Sequence, residues 1–460
     1  MPWQVASPWT PDSWKSRIAA QQIVYQDRSA VDAAVARLRE LPPLVTSGEI
    51  EQLRHHIAEA QEGKRFLLQG GDCAETIADC RPDVIAAKLK ILLQMSLVLV
   101  HGLKKPVIRV GRFAGQYSKP RSSATESRNG TTLPSYFGDL VNRAPFDESS
   151  RTPDPFHMVT GYQHAALTLN FIRSLIDGGF ADLHHPEYWD LRFMHHADLP
   201  VELREQYQAM TRGLAEALRF MEILGETSVD DLTRVDFFTS HEGLNLLYES
   251  AQTRPVPRRN GYFNLTTHLP WIGERTRDID GAHVEYFRGI RNPIGVKVGP
   301  NCSPADLLNL IDALNPENEP GRLVVIHRMG ANKIEQSLPP LLHAVRDAAS
   351  RPSNKGRPRV LWVCDPMHGN GLTTSTGIKT RSFDDILREL ERAIEIHRRA
   401  GTILGGVHFE LTGEDVTECL GGAAAVREED LTLNYASLCD PRLNYQQALE
   451  MAFAIARRMG

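Results

Sequence analysis

The sequence is poor in cysteine: six thiols in 460 residues, at positions 73, 80, 302, 364, 419 and 439. None stands in a Cys-x-x-Cys pair, which excludes a disulfide scaffold, a zinc knuckle and a thioredoxin-type motif. There is no surplus of positive charge. Lys and Arg number 52 against 57 Asp and Glu, a formal net charge of −5, the wrong sign for a nucleic-acid grip. No uninterrupted apolar run of about 18 residues occurs, and no basic stretch followed by an apolar one opens the chain. Neither a membrane span nor a secretion signal is therefore expected. Few thiols and no leader point to a reducing cytoplasm. Phosphate-cradling glycine loops are missing as well. Gly63-Lys64 is no Walker A, and Gly369-Asn370-Gly371 has the wrong spacing for a dinucleotide loop. There is no Gly-x-Ser-x-Gly elbow. His408-Phe409-Glu410 mimics a deaminase His-x-Glu, but no Pro-Cys-x-x-Cys follows it.

What is present is ordinary globular usage, 42% hydrophobic and 24% charged. Short β-rich apolar runs recur at residues 65–69, 106–110, 235–239, 294–298, 322–328, 360–364 and 406–410, with a weaker one at 262–267. Helical periodicity fills the intervals at 84–103, 305–314, 338–349, 383–399 and 446–459. Strand and helix alternating in this way predict a parallel α/β fold. Eight units predict a (β/α)8 TIM barrel, with an open doubly wound sheet as the rival. A barrel needs only about 250 residues, so the remainder is decoration. The expectation is one barrel domain over 1–460, with an N-terminal extension at 1–60. Helices are inserted between strands 2 and 3, where 162–176 and 203–224 are periodic and the added helical segment spans about 199–226.

In a barrel, residues at the C-terminal ends of the strands face one mouth. The reactive side chains gather at those positions. The cations are Arg112, Lys119, Arg121, Arg275, Lys297, Arg328, Lys379 and Arg381, and the metal-ligand types are Cys73, His368, Glu410 and Asp440. An acidic chain that concentrates cations there is built to hold anionic small molecules, since Arg and Lys bind phosphate and carboxylate. Singly, several of these residues have plain readings. Cys73 reads as a packed thiol, His368 as a core histidine, Lys119-Pro120-Arg121-Ser122 as a solvated turn, and Asp440 as a helix cap. Lys297 and Arg328 lie within or at the end of apolar strands, and Glu410 ends another. Uncompensated charge there is costly. The pairs His55-His56, His184-His185 and His195-His196 read as surface.

Taken together, the motifs resemble those of the type II 3-deoxy-D-arabino-heptulosonate 7-phosphate (DAHP) synthases. They begin with Pro8-Trp9-Thr10-Pro11-Asp12-Ser13-Trp14 and Leu68-Gln69-Gly70-Gly71-Asp72-Cys73-Ala74-Glu75. They continue with Arg109-Val110-Gly111-Arg112-Phe113-Ala114-Gly115-Gln116-Tyr117, Lys119-Pro120-Arg121-Ser122 and Ser240-His241-Glu242. Trp271-Ile272-Gly273-Glu274-Arg275-Thr276-Arg277 and Gly295-Val296-Lys297-Val298-Gly299-Pro300-Asn301 follow. The last third adds Cys364-Asp365-Pro366-Met367-His368-Gly369-Asn370, Thr412-Gly413-Glu414 and Cys439-Asp440-Pro441-Arg442-Leu443-Asn444.

The resemblance implies condensation of phosphoenolpyruvate with erythrose 4-phosphate, the first step of the shikimate pathway. It implies a divalent metal, Mn2+ or Co2+ before Zn2+ or Cd2+, on Cys73, His368, Glu410 and Asp440. It places phosphoenolpyruvate on Arg112, Glu274, Arg275, Lys297 and Arg328, and erythrose 4-phosphate on Lys119, Arg121 and Ser122. Cys73, Lys297, His368 and Glu274 are the implied catalytic set; the group that activates water is left open between Glu274 and a phosphate-bound water cluster. Aromatic amino acids as effectors, a homo-oligomer (dimer or tetramer) and a chorismate mutase partner are further implications. Two other readings stand beside it. One is a metal-dependent aldolase or related ketose-phosphate synthase. The other is an inactive regulatory homologue, against which the retention of every implied ligand counts.

Overall fold

The computed structural model describes residues 9–178, 236–348 and 356–460, with isolated positions 201, 204, 205 and 209. Its centre is an eight-stranded parallel sheet. The strands are β1 (Phe66–Gly71), β2 (Val107–Arg112), β3 (Phe237–Thr239), β4 (Trp271–Ile272), β5 (Ile294–Val298), β6 (Leu323–His327), β7 (Val360–Cys364) and β8 (Leu404–Glu410). Their order in the sheet is β3-β2-β1-β8-β7-β6-β5-β4. The two ends meet just beyond β3. Trp271 N donates to His241 O at 3.1 Å, and Gly243 N donates to Trp271 O at 3.0 Å. The closed ring is the (β/α)8 barrel expected from the alternation of patterns.

Strand residues alternate between two apolar layers, as period-2 geometry requires. Leu67, Ile108, Val110, Phe238, Val324, Ile326, Leu361 and Val363 fill the interior. Phe66, Leu68, Val107, Leu323 and Val325 face the surrounding helices. Those helices include α3 (Pro82–Leu103), α4 (His157–Asp177), α5 (Ala282–Gly289), α6 (Pro304–Leu314), α7 (Ile334–Asp347), α8 (Phe383–Ala400) and α9 (Tyr445–Met459), after α1 (Arg28–Glu40) and α2 (Ser47–Gln61) in the N-terminal extension. Local sequence sets their ends. The Ser382 side chain caps α8 by accepting from Asp385 N, and Gly401 ends it at φ 63. Ile386, Leu390, Ala393 and Ile394 bury one stripe of that helix. Among the described residues one helix, α3, is long and apolar enough to cross a membrane; 72% of its apolar window is buried, as in a core helix.

The N-terminal extension closes the far end of the barrel. Thr46 caps α2 in a reciprocal box with Glu49. Leu53, Ile57 and Ala60 then join the interior cluster beneath the strands.

Two expectations need correction. The run at 262–267 is not the fourth barrel strand. Tyr262–Asn264 pairs antiparallel with Thr253–Pro255 in a side ribbon, and the barrel strand is Trp271–Ile272. Two residues are too short to display a period, whereas Tyr262-Phe263-Asn264 carries β-formers without belonging to the ring. His56 is buried at 8% exposure, not on the surface. It meets Phe238 edge-on at 6.0 Å beneath the barrel. The helix expected at 162–176 is present within the 21-residue α4. The segments at 199–226, His184-His185 and His195-His196 lie, apart from the isolated positions, outside the described residues.

Candidate functional site

The C-terminal ends of the strands open on a cleft of about 300 Å³. Its floor is the top inward layer of the barrel, where the apolar filling gives way to charge. Gly71 is in register with both Arg112 on β2 and Glu410 on β8. A side chain on Gly71, at φ 147, would strike the Arg112 carbonyl and the Phe113 ring, and across this glycine Arg112 Nη2 lies 3.3 Å from Glu410 Oε1. Arg112 Nη1 lies 3.0 Å from His408 Nε2, and the guanidinium sits 5.2 Å above the Trp271 ring. Buried at 2% exposure and fixed on three sides, this fork is rigid before any substrate arrives.

Lys297 occupies the same floor. Its Nζ is 2.9 Å from Asp365 Oδ2 and 5.7 Å from the Trp271 ring centre. Burial lowers its pKa, and the Asp365 charge opposes that fall. Asp365 also accepts from His368 Nδ1 at 2.7 Å and from the backbone N–H groups of Met367 and His368. Burial alone would raise the Asp365 pKa, but His368 and Lys297 hold the carboxyl well below its usual range. With Nδ1 engaged, His368 turns Nε2 toward Glu410, 2.8 Å from Oε1. Arg328, at the end of β6, donates to the carbonyl of His368.

Beside this pair lies the candidate metal centre. Ligand atoms of Cys73, Glu410 and Asp440 all fall within 4.8 Å of one another. The Lys119 ammonium sits among them, bonded to Cys73 Sγ and 2.6 Å from Asp440 Oδ2. Despite burial, surrounding cations hold Glu410 well below the carboxylate range, and Asp440 is lowered too. Burial, a hydrogen bond with Cys439 and the Glu410 charge together push the Cys73 thiol well up. The same hydrogen bond lowers Cys439 to about 7. A thiol and two carboxylates, with the imidazole of His368 outside that group but 2.8 Å from Glu410, make a mixed S, N and O set. That set fits a divalent transition metal. The fit has a structural signature, because an ammonium already takes up the negative charge there.

The structure brings Cys73, Arg112, Lys119, Glu274, Arg275, Lys297, Arg328, His368, Glu410 and Asp440 to one cleft. Glu274 accepts from Arg277 at 3.0 Å, while its Oε2 is buried without a hydrogen-bond partner. Arg121 and Ser122 are not on the cleft wall. Arg121 pairs with Glu126 at 3.0 Å, and Ser122 Oγ accepts from the exposed Arg275 at 3.1 Å, so both hold the rim. Sequence reasoning gave no role to Asp365, His408 or Trp271, and placed Arg381 at the mouth without a partner. Arg381 donates to Glu410 Oε2 at 2.6 Å from a hairpin formed by Gly371–Thr373 and Lys379–Arg381. Only Asp365 had a visible signal, three residues before His368. A larger cleft of about 440 Å³ lies toward the barrel's far end, among Gln61, Arg357 and Trp362, and gathers no comparable ligand set.

The chain matches the class-II DAHP synthetase family over residues 9–456. It is 48% identical to a phospho-2-dehydro-3-deoxyheptonate aldolase of Neurospora crassa, covering 98% of this chain and 94% of that protein. It is 45% identical to a protein of the same name from Streptomyces coelicolor, covering 98% and 97%. A solved structure of phospho-2-dehydro-3-deoxyheptonate aldolase from Francisella tularensis aligns with a TM-score of 0.46 at 16% identity, over 93% of this chain and 96% of that one.

Proposed function

Because the chain belongs to the class-II DAHP synthetase family, it is a 3-deoxy-7-phosphoheptulonate synthase at the start of the shikimate pathway, and we propose that the cleft is its active site. The observation that carries this reading is the convergence of Cys73, Glu410 and Asp440 beside buried cations. In it, Cys73, His368, Glu410 and Asp440 hold the divalent metal that the family generally requires, with Mn2+ or Co2+ as the native ion. When bound, that ion supplies Lewis acidity toward an aldehyde oxygen.

Phosphoenolpyruvate lies on the floor. Arg112, Lys297 and Arg328 hold its phosphate and carboxylate, with Arg275 closing from the rim. Their positions are fixed beforehand by Glu410, Asp365 and the His368 carbonyl, so little reorganisation accompanies binding. Lys119, Arg121 and Ser122 orient the phosphate of erythrose 4-phosphate, so that its aldehyde carbon faces C3 of phosphoenolpyruvate. The C3–C1 bond forms, positive charge develops at C2, water adds there, and the hemiketal expels inorganic phosphate. Arg112 and Lys297 carry the departing phosphate's charge. The unpartnered Oε2 of Glu274 supports a role in taking a proton from the water.

The same reading extends to regulation and assembly. Aromatic amino acids are the proposed inhibitors, a dimer or tetramer the proposed assembly, and a chorismate mutase a proposed partner. One domain spans the chain. Six free thiols support a cytoplasmic setting.

The test is phosphate release from the two substrates by metal-stripped and metal-restored protein. Stripping should abolish release, and Mn2+ or Co2+ should restore it. Full turnover after exhaustive chelation would overturn the metal assignment. Carbon–carbon bond formation without phosphate release would indicate a simple aldolase instead.

A further inference from the structure

Behind the metal centre, outside the cleft, lies a buried group of four charges. Asp72 immediately precedes Cys73 on the turn after β1, and Arg442 follows Asp440 by two residues on the turn that leads into α9. Arg442 Nη1 donates to Asp72 Oδ1 at 2.7 Å, across 370 positions of sequence. The other oxygen of Asp72 is 2.5 Å from Lys88 Nζ on α3. Arg442 also grips Glu418, with Nη2 on Oε1 at 2.8 Å and Nε on Oε2 at 3.1 Å. Glu418 in turn accepts from the backbone N–H groups of Ala436, Ser437 and Arg442, at 3.2, 2.8 and 2.7 Å. Asp72 is 1% exposed and Glu418 0%.

Each carboxylate of the group is paired with a cation, and Lys88 also meets Asp79 at 3.5 Å. Replacing such a network with apolar residues is often neutral or stabilising, so stability does not explain why it is there. Its geometry offers another reason. Glu418 folds the turn at 436–442 around itself, and that turn carries Cys439 and Asp440. Asp72 is the residue through which this turn is tied to the one bearing Cys73.

We propose that Asp72, Arg442 and Glu418 are positioning residues that set the spacing between the Cys73 sulfur and the Asp440 carboxylate, and through it the affinity of the metal site. The inference rests on the reading of Cys73 and Asp440 as ligands. Partners behind a ligand set commonly govern affinity by about 10- to 100-fold. Arg442→Lys keeps the charge and removes the planar fork. Glu418→Gln keeps shape and removes one strong acceptor.

The experiment is a Co2+ titration of the metal-stripped full-length protein. It is followed through the near-ultraviolet absorption of the thiolate–cobalt bond, with the unfolding midpoint measured in parallel. Arg442→Lys should raise the Co2+ dissociation constant about 10- to 100-fold and weaken the thiolate band. Its KM for phosphoenolpyruvate at saturating metal should stay unchanged. Should that variant not fold, Glu418→Gln and Asp72→Asn read the same two quantities. Unchanged affinity and spectrum in a folded variant would overturn the proposal, as would loss of the fold in all three. Cys73→Ser separates this from failure of the underlying reading. If Cys73→Ser also binds Co2+ like wild type, Cys73 is no ligand and the site assignment falls first.

Discussion

Arg328 shows why a charged residue on an apolar strand is informative. It leaves β6 half-buried, its guanidinium held by the carbonyl of His368. Arg328→Ala should lose about 1.5–3 kcal/mol per charged hydrogen bond to phosphoenolpyruvate, which is a loss of roughly 10- to 150-fold in kcat/KM. Steady-state kinetics on the folded variant check this; unchanged kinetics would exclude Arg328 from the substrate site. Cys73 and Cys439 are neighbours whose pKa values are driven apart, the first raised chiefly by burial and the second lowered chiefly by its interaction with the Cys73 thiol. Oxidation of the metal-free protein should therefore join them and inactivate it reversibly, with bound metal protecting. Mass spectrometry finding both thiols free after oxidation would refute the pairing. Glu389 is a third case. Burial pushes its carboxyl up to about 7, against the N–H groups of Met329 and Gly330 and the Asn370 amide. The folded pKa lies above the ordinary value near 4.5, so its contribution is present at low pH and lost as pH rises through 7. Glu389→Gln should abolish that part of the slope. It should also cost about 1–3 kcal/mol, because a glutamine N–H would face the Asn370 N–H. Urea unfolding of both proteins at pH 5 and pH 7.5 measures the two effects.

At the scale of elements, much of the ring was legible because a strand buried on both faces is a continuous apolar run. The sequence around β5, β6, β7 and β8 shows this directly. β4 was not legible, since Trp271 and Ile272 make too short a run to carry a pattern. The strand-end logic found Arg112, Lys297 and Glu410, whose positions follow from where a strand stops. It placed Arg381 at the mouth too, but nothing in the spacing says that a hairpin 29 residues before Glu410 folds Arg381 onto that carboxylate. The role of α2 was equally hidden. Its periodicity shows an apolar stripe but not that the stripe seals a barrel. Leu53 is fully buried there. Leu53→Ala should cost about 2–5 kcal/mol in stability. KM for both substrates should not change, since α2 lies at the opposite end from the cleft. A large KM change at full metal occupancy would contradict that separation.

For the whole molecule, regulation is the property that local geometry leaves furthest from view. The helical pattern expected at 203–224, with Leu214 and Leu218 on its apolar stripe, falls mostly outside the described residues. Tryptophan, phenylalanine and tyrosine, singly or together, should inhibit the wild type. The coupling should be about 1–3 kcal/mol, and Leu214→Ser with Leu218→Ser should relieve it. Activity titrated with every combination and no inhibition observed would remove this segment from any regulatory role. The ring itself has a weak place. β6 is held by five-residue registers on both sides, whereas β3 and β4 share no register and are joined by Thr239 O, which accepts from His268 N and Leu269 N, and by Trp271 bonded to His241 and Gly243. Amide deuterium exchange should reveal this seam first, with Trp271 and Gly243 losing protection at lower free energy than Val325. Trp271 also lies beneath both Arg112 and Lys297. A ligand that engages those two cations therefore fastens the seam, and exchange at Trp271 should slow on phosphoenolpyruvate binding more than anywhere else in the ring.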